Sequence, residues 1–107
     1  MAQFDVHRNL GRNRVDIPFL VVIQSRRFDA SRARIVAALR LGRGPSGDTA
    51  GLTPRFRVEN LDVYLDPLQI ASIPTATLGP VIASLAEDTS SDRIVAAIDA
   101  VTSRAYG

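Results

Sequence analysis

The stretch SDRIVAAIDAVTSRAYG, from Ser91 to Gly107, predicts one amphipathic helix at the carboxyl end of the chain. Its apolar residues recur at spacings of three and four and share one face: Ile94, Ile98, Val101 and Ala105, with Val95 and Ala97 beside them. Ser90 or Ser91 would cap the amino end, and Arg104 would lie at the negative end of the helix dipole. Such a helix is marginal alone in water, so the preceding residues must form a surface on which it docks.

Length and composition predict a single domain over residues 1–107, large enough to bury a core without covalent cross-links. The absence of cysteine excludes disulfides, thiolate catalysis and zinc–thiolate sites. The apolar run from Ile17 to Ile23 is too short to cross a bilayer and lacks the basic start and cleavage motif of a signal peptide. We therefore expect a cytoplasmic protein without membrane contact.

All thirteen basic residues are arginines, and most of them precede residue 44, whereas most carboxylates follow it. A GC-rich genome would produce this bias, and so would a need to bind carboxylates or phosphates in a bidentate manner. With a formal net charge of only +2, the asymmetry indicates an acidic partner but is weak evidence for nucleic acid.

Five or six strands are predicted before the helix. Residues 3–7 alternate, residues 17–24 form a nearly continuous β-branched run typical of a central strand, and residues 54–59 and 61–65 form a hairpin around Glu59-Asn60. Residues 29–41 fit either a helix capped by Asp29 or an alternating strand.

The other segments predict loops and one short helix. Residues 8–14 are an exposed basic loop, residues 42–51 a glycine-rich excursion, and residues 67–74 short extended pieces bounded by prolines. Gly79-Pro80 is expected to open a short helix over residues 81–86. The pattern as a whole predicts a mainly β barrel or sheet with a docked C-terminal helix.

No residue pattern predicts a catalytic or metal site. His7 is the only histidine and is expected at the surface or at a strand edge. The pairs Asp62/Asp66 and Asp88/Asp92 lack a third ligand and the glycine of a calcium loop. We therefore expect a protein that is not an enzyme and that needs no metal or cofactor.

Eight segments, taken in order, resemble the CcdB family of toxins from type II bacterial toxin–antitoxin modules. They are residues 3–6, 18–25, 28–29, 34–39, 52–56, 71–74, 78–79 and 94–99. The most specific are Gln24-Ser25 after the second strand and Ala-Ser-Ile-Pro at 71–74 before Leu78-Gly79.

The resemblance implies an SH3-like β-barrel of the CcdB/MazF type with a C-terminal helix, assembled as a homodimer. It also implies a strand, not a helix, at residues 34–39. The type member traps the cleaved-DNA complex of DNA gyrase, and a cognate antitoxin with an acidic disordered tail neutralises it. Contact with DNA would be indirect, through the antitoxin.

Gyrase-directed members end the helix with tryptophan-glycine-isoleucine, and the indole stacks on an arginine of DNA gyrase. Here that tail falls on Ser103-Arg104-Ala105, so the aromatic anchor is missing, and Tyr106 is the substitute that the sequence offers. The resemblance places the target-binding surface on Arg27, Phe28, Asp99, Thr102, Ser103, Arg104, Ala105, Tyr106 and Gly107.

By the same resemblance, the antitoxin is expected on the basic loop and on the start of the excursion, at Arg8, Arg12, Arg14, Arg40 and Arg43. The dimer interface is expected on the helix, at Ile98, Val101 and Ala105.

Two other functions stay open at this point. An endoribonuclease of the MazF kind shares the barrel and would need a general acid–base pair and a cation for the transition state. A degenerate homologue would bind antitoxin without killing.

Overall fold

The computed structural model describes residues 2–45 and 51–103, which form six strands and one α-helix. The elements are β1 (Asp5–Arg8), β2 (Phe19–Val22), β3 (Ala33–Leu41), β4 (Arg55–Val58), β5 (Leu61–Pro74), β6 (Val81–Ser84) and α1 (Asp88–Thr102). Short 3-10 turns cover Arg26–Phe28 and Thr75–Thr77. The predicted fold class, mainly β with a C-terminal helix, is confirmed.

The strands form one antiparallel sheet in the order β4-β5-β3-β2-β1-β6, which curls into a nearly closed SH3-like barrel. The sharpest irregularity lies between the two long strands, where Ala37 faces Ile70 but Ala38 faces Asp66. The extra residues of β5 at this bulge increase the local twist, which allows a sheet to bend toward closure.

Residues 33–41 form a strand, as the resemblance implies, although the residues have good helix propensity. Strand β3 is paired with β2 on one edge and with β5 on the other, so its backbone polar groups are satisfied within the sheet. Burial of the continuous run Val36–Leu39 also stabilises the strand. Tertiary packing therefore overrides the local helix propensity.

The predicted hairpin is confirmed. Glu59 and Asn60 both have positive φ, 50° and 65°, as a two-residue turn between twisted strands requires.

Two predictions about the second half of the chain are wrong. The short helix expected over residues 81–86 is instead strand β6, because Val81 and its neighbours pair with the exposed edge of β1 and the Pro80 carbonyl accepts from the Arg8 N–H. The short pieces expected at residues 67–74 are the second half of the single strand β5.

The C-terminal helix is confirmed, but both predicted ends are wrong. It begins at Asp88 after Glu87, and Ser90, one of the two predicted caps, lies in the first turn with its hydroxyl donating to the Glu87 carboxylate. It ends at Thr102, because Ser103 has extended backbone angles and already follows the last turn. Arg104 lies outside the described residues.

The core joins the inner face of the barrel to the helix. Val6, Phe19, Leu39 and Val63 are among the barrel side chains. Of the apolar face predicted for the helix, Ile94 and Ala97 are buried and Ile98 packs partly against the core, whereas Val95 and Val101 are exposed. In the described ranges there is no helix both long enough and apolar enough to cross a membrane.

The surface position predicted for His7 is wrong, because its side chain is buried in the seam between β1 and residue 79. Its Nδ1 lies 2.8 Å from the Gly79 carbonyl, and that carbonyl requires Nδ1 to be the protonated nitrogen. A Cβ at Gly79 would overlap the Arg8 carbonyl, so only glycine lets the two backbones approach this closely. The glycine of the Leu78-Gly79 pair, which is part of the resemblance, is therefore required for steric reasons.

Gly79→Ala should lower the free energy of unfolding by about 2 kcal/mol or more, because backbone must shift and the His7 bond is strained. Gly11→Ala is the matched control, since its added Cβ meets a side-chain oxygen in an exposed loop. Urea unfolding of both variants measures the difference, and an equal loss in the two would contradict the steric argument.

Candidate functional site: two surfaces at opposite ends of the barrel

A fully buried guanidinium organises one end of the barrel. The Arg34 side chain is 0% exposed; its Nε donates to Gln24 Oε1 at 2.8 Å and its Nη2 to Asp29 Oδ1 at 3.1 Å. Its Nη1 also donates to the Asp29 carbonyl at 3.3 Å. These bonds tie β3 to the end of β2 and to the connection 24–32. The sequence reasoning missed this role, although all three residues lie in segments that carry the resemblance.

The connection held by Arg34 presents two of the predicted target-binding residues. The Ser25 side chain accepts from the Arg27 N–H at 3.3 Å and caps the turn Arg26–Phe28. Phe28 is 51% exposed at the end of this turn, which is unusual for a large aromatic side chain. Arg27 is also exposed.

An apolar groove of about 200 Å³ lies at the same end, between the helix and the start of the barrel. Its lining is Phe4, Ile23, Ile94, Val95, Ile98 and Asp99, with the Asp99 carboxylate as the charged group. Ile23 directly precedes the connection that carries Arg27 and Phe28. The fold therefore brings Asp99 and this connection to one end of the molecule, as the predicted target surface requires.

Phe4 lines this groove in an uncommon backbone conformation, with φ of 68°. The conformation is held by two backbone hydrogen bonds, from Phe4 N to Val22 O and from Leu85 N to Phe4 O. Left-handed angles cost an L-residue about 1–2 kcal/mol, and such positions cluster at functional sites.

The helix end carries the other predicted residues of this surface. The Thr102 hydroxyl donates to the Ile98 carbonyl, and Ser103 N donates to the Asp99 carbonyl as the helix closes. Val101, predicted at a dimer interface, is 39% exposed, whereas Ile98 packs partly against the core. Arg104, Ala105, Tyr106 and Gly107 lie outside the described residues.

The predicted antitoxin residues gather at the opposite end of the barrel. Three contacts join their loops there: Leu41 N to Asp16 O, Gly42 N to Asp62 O, and Arg8 to Glu59 at 2.7 Å. Arg12 and Arg14 are exposed in the loop that follows β1, and Arg43 lies beside Gly42. Residues 46–50 of the predicted excursion lie outside the described residues.

Two of these arginines form ion pairs within the chain. Arg8 ends β1 and holds Glu59, so it is not part of the loop proper. Arg40 donates to Asp66 Oδ2 at 2.8 Å, and this hydrogen bond raises the pKa of the Arg40 guanidinium. Like any arginine, Arg40 is charged at every physiological pH, and the Asp66 carboxylate largely balances that charge.

The described residues contain no group of three side chains suited to hold a metal ion. What they provide is two binding surfaces: an apolar groove with an exposed aromatic at one end, and an arginine-rich surface at the other.

Comparisons with known proteins agree with this architecture. A family model described as CcdB protein matches residues 3–103. An endoribonuclease in complex with its cognate antitoxin, from a Mycobacterial species, has a TM-score of 0.69 at 14% identity, covering 92% of this chain and 91% of its own. An endoribonuclease from a Mycobacterial species has a TM-score of 0.63 at 12% identity, covering 92% and 88%. No curated protein sequence matches the chain.

At such low identities the two structures establish the shared fold alone. The family match is different, because it spans nearly the whole chain and includes Gln24, Asp29, Arg34 and Gly79, whose roles in the fold are described above. The chain belongs to the CcdB family.

Proposed function

We propose that this chain is the toxin of a toxin–antitoxin module, acting without enzymatic chemistry by binding a protein target through the groove end of the barrel. The observation that carries the proposal is the apolar groove beside the exposed Phe28, on a connection fixed by the buried Arg34. A cognate antitoxin neutralises the toxin, and the toxin works in the cytoplasm as a homodimer. Membership of the CcdB family supports the toxin assignment.

The groove favours binding over hydrolysis. Within residues 2–45 and 51–103 its lining is apolar apart from Asp99, and a lone carboxylate supplies neither an acid–base pair nor a cation for a phosphorane. His7, the residue type best suited to proton transfer near neutral pH, is buried in the seam at the other end of β1.

RNA cleavage is the second candidate, favoured by one observation: the two similar structures named above are endoribonucleases. The arginine-rich end would have to supply the site in that case, with Arg57 and Asp62, 3.0 Å apart, as a cation–carboxylate pair. Because both groups are exposed and bound to each other, this pair is a weak acid–base candidate.

Expression of the chain in a bacterial host without antitoxin separates these functions. The proposal predicts growth arrest in cells, and intact RNA when the purified protein is incubated with total RNA. RNA fragmentation by the purified protein would establish the nuclease instead. A host that grows normally would identify a degenerate member that only binds antitoxin.

The antitoxin surface makes a prediction about charge. Arg12→Glu combined with Arg14→Glu should weaken binding of the cognate antitoxin about tenfold at low salt and less at high salt, because exposed ion pairs are screened. The double variant Arg26→Glu with Arg32→Glu changes the charge equally at the opposite end of the barrel and should leave the affinity close to native. Isothermal calorimetry at two salt concentrations measures both. An equal effect of the two double variants would place the site elsewhere.

The helix end makes a prediction about the target. The chain should be a poor gyrase poison, since Ser103 and Arg104 replace an aromatic anchor that is worth up to about 2 kcal/mol through its cation–π contact alone. Ser103→Trp combined with Arg104→Gly should increase the trapping of cleaved plasmid by purified gyrase. Tyr106→Ala is the control and should change nothing. Strong trapping by the native protein would show that the missing tryptophan does not matter.

A further inference from the structure

A second pocket lies at the arginine-rich end, between the edge strand β4 and the end of β3. It measures about 180 Å³ and is lined by Gly42, Arg43, Arg55, Phe56, Arg57 and Asp62. The sequence alone indicates neither Arg55 nor Arg57 as a site residue, because the pocket is assembled from strand β4, its hairpin and the end of β3.

Local bonds hold the guanidinium groups around this pocket. Arg55 Nε donates to the Arg43 carbonyl at 2.7 Å, which joins strand β4 to the end of β3. Arg57 donates to Asp62 Oδ1 at 3.0 Å and to the Asn60 carbonyl at 3.2 Å. The Arg57 side chain is nevertheless 64% exposed, so part of its five-donor fork faces solvent.

The charge of the pocket is unbalanced. Among the residues that the structure describes, three arginines line it against a single carboxylate, Asp62. A fourth arginine, Arg93 of α1, adjoins it: its Nη2 donates to the Arg55 carbonyl at 2.6 Å, and its guanidinium lies 4.6 Å from the centroid of the Phe56 ring. Such a concentration of guanidinium groups attracts anions and suits bidentate binding of carboxylates.

The aromatic lining of the pocket does not suit RNA bases. Single-stranded RNA is held mainly by stacking of its bases on exposed rings. Phe56 is only 8% exposed, and Arg93 occupies one of its faces. The pocket thus presents charge without a stacking platform.

The backbone beside the pocket suits an extended peptide. The two-residue turn makes Val58 and Leu61 a pair that exchanges two hydrogen bonds, so the Arg57 N–H and C=O point away from β5. Two observed hydrogen bonds agree with this alternation along β4. The Pro54 carbonyl faces β5 and accepts from Leu65 N, and the Arg55 carbonyl faces away from β5 and accepts from Arg93. Because β4 is the first strand of the sheet order, the Arg57 groups lie on an outer edge. Arg93 already binds the outward carbonyl of Arg55, so Arg57 is the residue of β4 that offers its backbone N–H and C=O to an extended peptide.

We propose that this arginine pocket binds carboxylate side chains of an extended acidic peptide segment that crosses the outer edge of β4 at Arg57. Assigning that segment to the antitoxin rests on the proposed function; the chemistry of the pocket does not. Asp62 competes with the incoming carboxylates for Arg57 and so limits the affinity.

Fluorescence anisotropy at low salt tests this, with a fluorescein-labelled decapeptide of alternating glutamate and valine as the probe. Arg57→Gln should weaken binding about fivefold, the scale of one exposed ion pair. Asp62→Asn should tighten it by a similar factor, because Arg57 is released and a repulsive charge is removed. Arg32→Gln, the same loss of charge at the opposite end, should change the affinity little.

The opposite directions expected for Arg57→Gln and Asp62→Asn keep the test independent of folding defects, since the exposed pair contributes little to stability. Failure of the peptide to bind, or equal weakening by Arg57→Gln and Arg32→Gln, would overturn the proposal. So would a labelled ten-nucleotide uridine RNA that binds more tightly than the peptide and responds to Arg57→Gln. If the three variants change the peptide affinity as expected but the chain does not arrest growth, the pocket binds acidic peptides and the toxin assignment fails.

Discussion

The buried guanidinium of Arg34 is the constraint on which the groove end of the barrel depends. Leaving a buried charge without partners costs several kcal/mol, so the bonds to Gln24 and Asp29 stabilise Arg34 in the interior. The connection between β2 and β3 is therefore held against the barrel although most of its side chains face water. A turn that presents an exposed phenylalanine thereby acquires a fixed position without an apolar core of its own, and a preorganised turn loses less conformational entropy on binding.

The second constraint is the closure of the sheet. Strands β4 and β6 are the two edges of the sheet and do not pair with each other. Side-chain contacts instead hold the two ends of the sheet together. Arg8 of β1 reaches Glu59 at the hairpin, and Arg93 of α1 covers Phe56 and the outward carbonyl of Arg55. The helix thus packs on the core through Ile94 and Ala97 and also protects part of an exposed edge, a usual site of unwanted association. The apolar groove and the arginine-rich surface lie at opposite ends of these antiparallel strands, so the length of the barrel separates them.

Local features could be predicted from the sequence, and non-local ones could not. The hairpin at Glu59-Asn60 and the apolar face of the helix follow from patterns within about ten residues. The sequence of strand β6 wrongly predicts a short helix, because four residues after a proline are too few to show a strand or helix periodicity. The partner strand β1 lies more than seventy residues earlier in the chain. The burial of His7 escapes prediction for the same reason, since the carbonyl that accepts from it belongs to Gly79. The arginine pocket combines side chains from three segments whose proximity only the fold establishes.

The central claim is that the groove between the helix and the start of the barrel carries the activity. Growth after induction of Val95→Glu, compared with Ala96→Glu, tests it most directly, because Val95 lines the groove and its exposed neighbour Ala96 does not. Both variants should fold as the native chain does by circular dichroism, since neither side chain is buried. We expect the native chain and Ala96→Glu to arrest growth and Val95→Glu to leave growth normal. Arrest by Val95→Glu as strong as by the native chain would contradict it.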